Sequence, residues 1–262
     1  MSVFDVIGCS ADELLNVGVA MAARGANVIR DLHGETGTIS FKSSPTDAVT
    51  AADAASDTAI RGVLAARRVG DGLISEDGPP AASSTALRWV VDPLDGTTNY
   101  VHGLPHIAVS VACEALVDGA WQAIVGVVSD VLRDEVFSAV LGCGARLGEA
   151  AISVNEPVTL SRAVVATGFG YRPAVRQRQA DALRRVAPIV ADVRATGSSA
   201  LDLCWTAAGR IDAYWEDELS PWDWAAGRLI VREAGGWTSV LGDGILAAGP
   251  HLHAELDTLL TG

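Results

Sequence analysis

The chain has 262 residues, 49% of them hydrophobic and 19% charged, so it can bury a large core as one domain or as two closely joined halves. Its formal net charge of -13 repels nucleic acid and anionic membranes, which argues against direct nonspecific binding to either. The sequence has no recognisable signal peptide and no apolar run of about 18 residues, and its four cysteines form no CxxC pair. We therefore expect a cytoplasmic protein with reduced thiols.

Capping signals mark the starts of two predicted helices in the first part of the chain. Ser10 is followed three residues later by Glu13, and Thr50 is followed at the same spacing by Asp53. The predicted elements are a helix over 11–31, a short strand pair or irregular loop over 36–49, a helix over 51–67 and a strand over 73–74.

The octet Asp-Pro-Leu-Asp-Gly-Thr-Thr-Asn at 92–99 carries more chemical information than any other segment, and it follows an apolar run that predicts a strand. Asp92 and Asp95 place two carboxylates three residues apart, Pro93 stiffens the backbone between them, and Gly96 permits a tight turn. The polar residues after Gly96 suit a helix start and an anion site. Hard oxygen ligands beside an anion site indicate Mg²⁺-assisted phosphoryl chemistry. A strand-end turn with a helix cap is the alternative reading.

Beyond the octet, the hydrophobic pattern alternates between strands and helices, and Gly119 and Gly142 mark turns between the first strands. The predicted strands cover 106–117, 121–130, 134–140, 163–168, 191–195, 211–215, 240–241 and 245–248. The predicted helices cover 174–188, 197–209 and 222–234. This layered alternation indicates an α/β or α+β protein rather than a helical bundle.

A phosphatase metal site needs more than two carboxylates, and they must come from different elements in order to enclose the ions. Asp53, Glu76 and Asp223 are candidates because each is predicted at the end of an element. Each also has a purely structural reading. An acidic residue in the first turn of a helix stabilises the helix dipole, and a carboxylate such as Glu76 is ordinary in a loop.

Four motifs follow one another in the order of a known family. They are DAVTAAD at 47–53, ISED at 74–77, the octet at 92–99 and WDWAAG at 222–227, with KSSP at 42–45 before the first. Over about residues 10–250 the chain resembles the inositol monophosphatase family of Mg²⁺-dependent, lithium-sensitive sugar phosphatases. Segments 167–171 and 197–203 make it similar to the bacterial inositol-1-monophosphatase branch of that family.

The resemblance implies an α/β (α+β) fold, an α-β-α-β-α layered sandwich, with one catalytic domain over 1–262. Two closely joined halves, roughly 1–150 and 151–262, would make up this domain. It also implies two to three Mg²⁺ ions per site and a homodimer. A small phosphate ester is the expected partner, with no direct contact to nucleic acid or membrane.

The resemblance also implies a role for each site residue. The metal ligands would be Glu76, Asp92, the Leu94 carbonyl, Asp95 and Asp223, with Asp92 bridging two ions. Asp53 and Thr97 would orient and activate the attacking water. The substrate-binding residues would be Gly96, Thr97, Thr98, Ser199 and Glu216, with the backbone amides of Gly96 and Thr97 facing the phosphate.

The expected reaction is hydrolysis of myo-inositol 1-phosphate to myo-inositol and phosphate by in-line attack of a metal-activated water. Glu216 favours a polyol, because a carboxylate accepts hydrogen bonds from hydroxyl groups. Ser75-Glu76-Asp77 in place of the commoner Gly-Glu-Glu, the bulky Trp224 and Ser199 depart from the family pattern. Histidinol phosphate, another sugar phosphate and a 3′-phosphonucleotide therefore stay open as substrates. A regulatory relative that keeps the fold and assists transcription complexes is the alternative from a different class.

Overall fold

The computed structural model describes residues 3–4, 8–34, 40–41 and 48–262. The helices are α1 (Ala11–Leu32), α2 (Ala51–Arg67), α3 (Thr97–His102), α4 (Pro173–Val186), α5 (Ser199–Ala207), α6 (Pro221–Glu233) and α7 (Pro250–Thr261). The strands of the first half are β1 (Ser40–Phe41), β2 (Ala48–Val49), β3 (Gly72–Ser75), β4 (Leu87–Asp95), β5 (Ala108–Val117), β6 (Ala120–Asp130), β7 (Glu135–Val140), β8 (Ala145–Leu147) and β9 (Ala150–Ala151). Those that follow are β10 (Val164–Thr167), β11 (Asp192–Arg194), β12 (Ala213–Glu216), β13 (Trp237–Leu241) and β14 (Gly244–Ala248).

Helices α1 and α2 form the first layer, and both begin at the predicted caps. The Ser10 hydroxyl accepts a hydrogen bond from the Glu13 amide at 3.0 Å, and Thr50 forms a capping box with Asp53. The apolar stripe of α1, which includes Met21 and Ile29, is fully buried against the first sheet. This burial stabilises both helices well beyond their intrinsic propensities.

The first sheet has seven strands in the order β3-β4-β5-β6-β7-β8-β9. Strands β3 and β4 are parallel, and the other neighbours are antiparallel. Its two faces enter different cores. Trp89 and Val91 pack under α1 and α2, whereas Val90 and Val128 pack against α5 and α6. Burial on both faces explains why the central strands are almost continuously apolar.

The second sheet has the order β11-β10-β12-β14-β13 and completes the layers. Tyr214 faces α5 and α6 in the central core, while its neighbour Trp215 faces the outer helices α4 and α7 together with Leu252 and Leu256. The layers therefore run α1/α2, first sheet, α5/α6, second sheet, α4/α7. This order confirms the predicted α-β-α-β-α sandwich.

Several elements differ from the sequence prediction. Strand β4 continues to Asp95, so the first half of the octet lies within the strand, with a register shift between Asp92 and Asp95. Strands β8 and β9 and the helix α7 were not predicted. Within the predicted strand pair over 36–49, β1 pairs antiparallel with β2. The KSSP motif at 42–45 and Asp47 lie outside the described residues. No described helix is long and apolar enough to cross a bilayer.

Candidate active site

The octet forms a bulged strand end followed at once by a short helix. Asp92 Oδ1 accepts a hydrogen bond from the Leu94 amide at 3.0 Å, and the Pro93 carbonyl accepts one from Ser56 of α2 at 2.8 Å. Gly96 then adopts a left-handed φ of 88°, and a Cβ on it would lie 2.8 Å from the carbonyl oxygen of His106. Both features require glycine, so the turn that begins α3 depends on Gly96.

Asp53 and Thr97 meet although 44 residues separate them in the chain. The Thr97 hydroxyl lies 3.0 Å from Asp53 Oδ1 and 3.1 Å from the Leu94 carbonyl oxygen. The other oxygen, Asp53 Oδ2, accepts hydrogen bonds from the Thr50 amide at 2.7 Å and the Thr50 hydroxyl at 2.6 Å. The Asp53 carboxylate therefore caps α2 with one oxygen and contacts the octet with the other. Its structural role as a helix cap is compatible with its predicted role at the site.

Glu76 and Asp92 are neighbours because β3 and β4 run parallel. Ser75 is paired with Val91, so the next residue on each strand emerges at the same sheet edge. The Glu76 amide confirms this register with a 3.2 Å hydrogen bond to the Val91 carbonyl. Two carboxylates from separate motifs thus reach one place through strand pairing alone.

Asp223 approaches the same edge from the first turn of α6. The Ser220 amide donates to Asp223 Oδ2 at 2.6 Å, which fixes the carboxylate at the helix start. Ser110, which pairs with Asp92 across the sheet, donates its hydroxyl to the Trp222 carbonyl at 3.3 Å. Helix α6 is therefore joined to the strand beside the octet.

The pKa values show that these carboxylates sense one another. Burial raises the pKa of Asp92 well above its ordinary value, and the charges of Glu76, Asp95 and Asp223 raise it further. The pKa of Asp223 is raised by burial and then by Asp95 and Glu76. Burial also raises the pKa of Asp95 to about 6. The leading charge effects on the pKa of Asp92 all come from other carboxylates, and all of them raise it.

The donor set suits a hard divalent cation, which prefers oxygen ligands and would neutralise this repulsion. Among the described residues, however, no three His, Cys, Asp or Glu side chains already surround one point as metal ligands. Mutual repulsion between like charges opposes such a convergence. The residues fit a divalent metal by the chemistry of their oxygen donors and by their negative charge.

Ser198 and Ala200 hold Asp95 from the far side of the cleft. The Ser198 hydroxyl donates to Asp95 Oδ2 at 2.5 Å, and the Ala200 amide donates to the same oxygen at 2.8 Å. Ser198 also caps α5 by accepting from the Leu201 amide. The sequence analysis predicted Ser199 instead, which lies close enough to Tyr214 to influence the pKa of its hydroxyl. The Gly197-Ser198-Ser199 sequence at the predicted helix start could have indicated Ser198, because serine is favoured as an N-cap.

Asn99 is a second residue whose structural role the sequence analysis missed, because it was interpreted as part of a helix start and an anion site. Its buried side-chain nitrogen donates to the His106 carbonyl at 2.7 Å and to the Thr196 carbonyl at 2.8 Å. Thr98, in contrast, is exposed on α3. Asn99 thus connects the octet to the segment that leads into Ser198.

Glu216 ends β12 with its side chain in the central layer. The Tyr214 hydroxyl donates to Glu216 Oε2 at 2.7 Å. Burial raises the pKa of Glu216 to about 8, and the charges of Asp202 and Asp95 add to the increase. The charge of Asp95 thus acts on Glu216, whereas the substrate role of Glu216 stays a prediction.

A cavity of about 350 Å³ adjoins Glu216 between α4 and the ends of β10, β12 and β13. Its lining includes Thr167, Gln179, Trp215 and Asp217, and it contains none of the predicted metal ligands. This cavity therefore adjoins a predicted substrate residue and lies apart from the predicted metal ligands.

Comparisons with known proteins agree with this geometry. The model of the inositol monophosphatase family matches residues 10–255. The inositol-1-monophosphatase SuhB of Mycobacterium tuberculosis is 41% identical over 85% of this chain and 82% of its own length. A Haemophilus influenzae relative named Nus factor SuhB is 38% identical over 85% of this chain and 83% of its own length.

Solved structures show the same fold. The crystal structure of extragenic suppressor protein suhB from Bartonella henselae superposes with a TM-score of 0.88 at 35% identity, covering 94% of this chain and 98% of that one. Members of the matched family generally depend on a metal.

Proposed function

Because the chain belongs to the inositol monophosphatase family and is thus a phosphatase, we propose that it hydrolyses myo-inositol 1-phosphate to myo-inositol and phosphate with Mg²⁺. The observation that carries the proposal is the cluster of buried carboxylates around Asp92, with the Asp53–Thr97 pair beside it. Uncatalysed hydrolysis of phosphate monoesters is extremely slow, and this combination would supply both a site for metal ions and a group that accepts the proton of the attacking water.

The carboxylate cluster would hold the metal. The proposed ligands are Glu76, Asp92, the Leu94 carbonyl, Asp95 and Asp223, and they would bind two to three ions. The charges of Glu76, Asp95 and Asp223 all raise the pKa of Asp92, so each of them lies near it. This proximity supports the role of Asp92 as the shared ligand. When bound, Mg²⁺ supplies Lewis acidity, which acidifies the attacking water and stabilises charge on the phosphate oxygens.

Thr97 and Asp53 would orient the water and accept its proton. When the Thr97 hydroxyl donates to Asp53 Oδ1, its lone pairs are available to a hydrogen bond from the water. As the water oxygen bonds to phosphorus and the bond from phosphorus to the inositol oxygen breaks, the water proton would pass to Thr97 Oγ1 while the Thr97 proton passes to Asp53. The departing inositol oxygen would take its proton from solvent. Burial raises the pKa of Asp53, which makes this carboxylate a better proton acceptor than an exposed aspartate.

The phosphate and its alcohol would be bound by separate groups. The first amides of a helix have no partner within the helix, so Gly96, Thr97 and Thr98 would donate to phosphate oxygens. On the opposite side, Ser199 and Glu216 would contact the hydroxyl groups of inositol. With a pKa of about 8, Glu216 carries a proton at neutral pH and can donate as well as accept such hydrogen bonds.

Phosphate release from inositol 1-phosphate tests the proposal directly. The assay compares it with histidinol phosphate, glycerol phosphate and a 3′-phosphonucleotide in Mg²⁺, and then adds EDTA or lithium. Activity should require Mg²⁺, fall with lithium and be highest on inositol 1-phosphate. Asp92→Asn should remove nearly all of it, whereas Asp118→Asn, in the exposed β5–β6 turn, should retain it. If none of these esters releases phosphate, the proposal is refuted.

A regulatory role is a second candidate, because a similar chain carries the name Nus factor SuhB. Asp92 and Asp95 are buried carboxylates whose charges repel each other, and such a pair is costly to bury, which supports a metal-dependent catalytic role. Asp92→Asn would remove hydrolysis and leave a binding role intact. A cellular function that survives in cells carrying only this variant would therefore depend on binding, and one that is lost would depend on catalysis. We also propose a homodimer, which sedimentation velocity would test.

A further inference from the structure

Gln179 of α4 connects two separate loops through a single side chain. The Gly170 amide donates to Gln179 Oε1 at 2.8 Å, and Gln179 Nε2 donates to the Asp217 carbonyl at 3.1 Å. The side chain is buried, at 7% exposure. A buried amide bonded at both ends holds its partners firmly, because breaking either bond leaves a polar group without water.

The two loops joined by Gln179 enclose Glu216. Asp217 directly follows Glu216, so its carbonyl fixes the backbone immediately beyond that carboxylate. On the other side, Gly168 lies so close that a Cβ built on it would overlap the Glu216 carboxylate oxygens. Gly168 therefore bounds the space of the Glu216 side chain, and Gln179 ties the loop after Gly168 to the backbone that follows Glu216.

Ion pairs on the same loops are exposed and contribute less. Arg178 lies 2.9 Å from Asp217 and 3.1 Å from Glu218, but its side chain is 55% exposed. Exposed pairs of this kind add little, since water screens them and both side chains lose freedom. Gln179, as the buried link, is the stronger constraint.

We propose that Gln179 is a positioning residue for the alcohol-binding part of the site. It would set the orientation of Glu216 without touching the substrate, and so determine how well a hydroxylated leaving group is bound. The proposal rests on the function proposed above, because Glu216 is assigned there to the alcohol. The phosphate and metal groups at the octet lie on other elements and would be unaffected.

Gln179→Met tests the proposal, because methionine keeps the length of the side chain but loses both hydrogen bonds. The KM for inositol 1-phosphate should rise about tenfold, as expected for two ordinary buried hydrogen bonds, with little change in kcat. The KM for p-nitrophenyl phosphate, whose alcohol has no further hydroxyl group, should stay unchanged. General structural damage would affect both substrates. Gln177→Met, two residues away and exposed on the same helix, is the matched control.

Hydrogen exchange provides a test that is independent of activity. In Gln179→Met, segments 168–172 and 215–220 should both exchange faster than in wild type, while Gln177→Met should match wild type. Unchanged exchange in both segments, or equal KM changes for the two esters, would overturn the proposal. If wild type hydrolyses no inositol 1-phosphate, the proposed function fails and hydrogen exchange still decides whether Gln179 holds the loops. If Gln179→Met does not fold, the shorter Gln179→Asn replaces it in both measurements.

Discussion

Replacing Asp95 by Asn should stabilise the metal-free protein, although Asp95 is a proposed ligand. Folding raises the pKa of this carboxyl from 3.8 to about 6, mainly by burial. The folded state therefore binds its proton more tightly than the unfolded state, so stability falls as pH rises through this window. A pKa shift of about two units corresponds to about 3 kcal/mol of unfolding free energy. The wild-type protein loses this whole contribution once the pH lies above about 6. Asparagine avoids this loss and can still accept from Ser198 and Ala200.

Urea unfolding in EDTA at about pH 4 and about pH 8 measures this effect. The free energy of unfolding of Asp95→Asn should exceed that of wild type by up to about 3 kcal/mol at the higher pH and by little at the lower one. Saturating Mg²⁺ should reverse the order, since only wild type keeps the full ligand set. Asp118→Asn should show neither change. A variant less stable than wild type at about pH 8 in EDTA would refute the electrostatic argument.

Three further predictions concern the neighbours of the cluster. Thr97→Val should lower kcat by about 10²–10⁴, the usual range for proton-transfer groups, whereas Thr97→Ser should retain most of it in the same steady-state assay. Ser198→Ala should weaken Mg²⁺ binding about 10–100-fold, as measured by titration calorimetry, because Asp95 loses its shortest hydrogen bond. Gly168→Ala should displace Glu216 and raise the KM for inositol 1-phosphate more than that for p-nitrophenyl phosphate. Equal effects of the two Thr97 substitutions, unchanged Mg²⁺ affinity, or equal KM changes would contradict the respective predictions.

Local sequence signals predicted most elements correctly. The caps at Ser10 and Thr50 marked the starts of α1 and α2, and the apolar alternation marked the central strands of the first sheet. The end of β4 was placed too early, because a bulge keeps Asp92 and Asp95 within the sheet. Helix α7 was missed, although Pro250 occupies the first turn where proline is favoured.

The sequence by itself determined the family, and it predicted which residues would supply the chemistry, because each motif holds its candidate groups within a few residues of one another. The octet, the Asp53 and Asp223 helix starts and Glu76 all belong to such short patterns. Their roles stay a prediction until ligands or variants test them.

Only the tertiary structure decided how these groups meet and which residues hold them. Ser198 reaches Asp95 across 103 positions, and Gln179 joins two loops that lie far apart in the chain. Such contacts depend on how β4, α5 and α4 pack against one another and against their loops, and hydrophobic periodicity does not specify them. The raised pKa values have the same origin, since burial and the proximity of distant charges exist only in the folded chain.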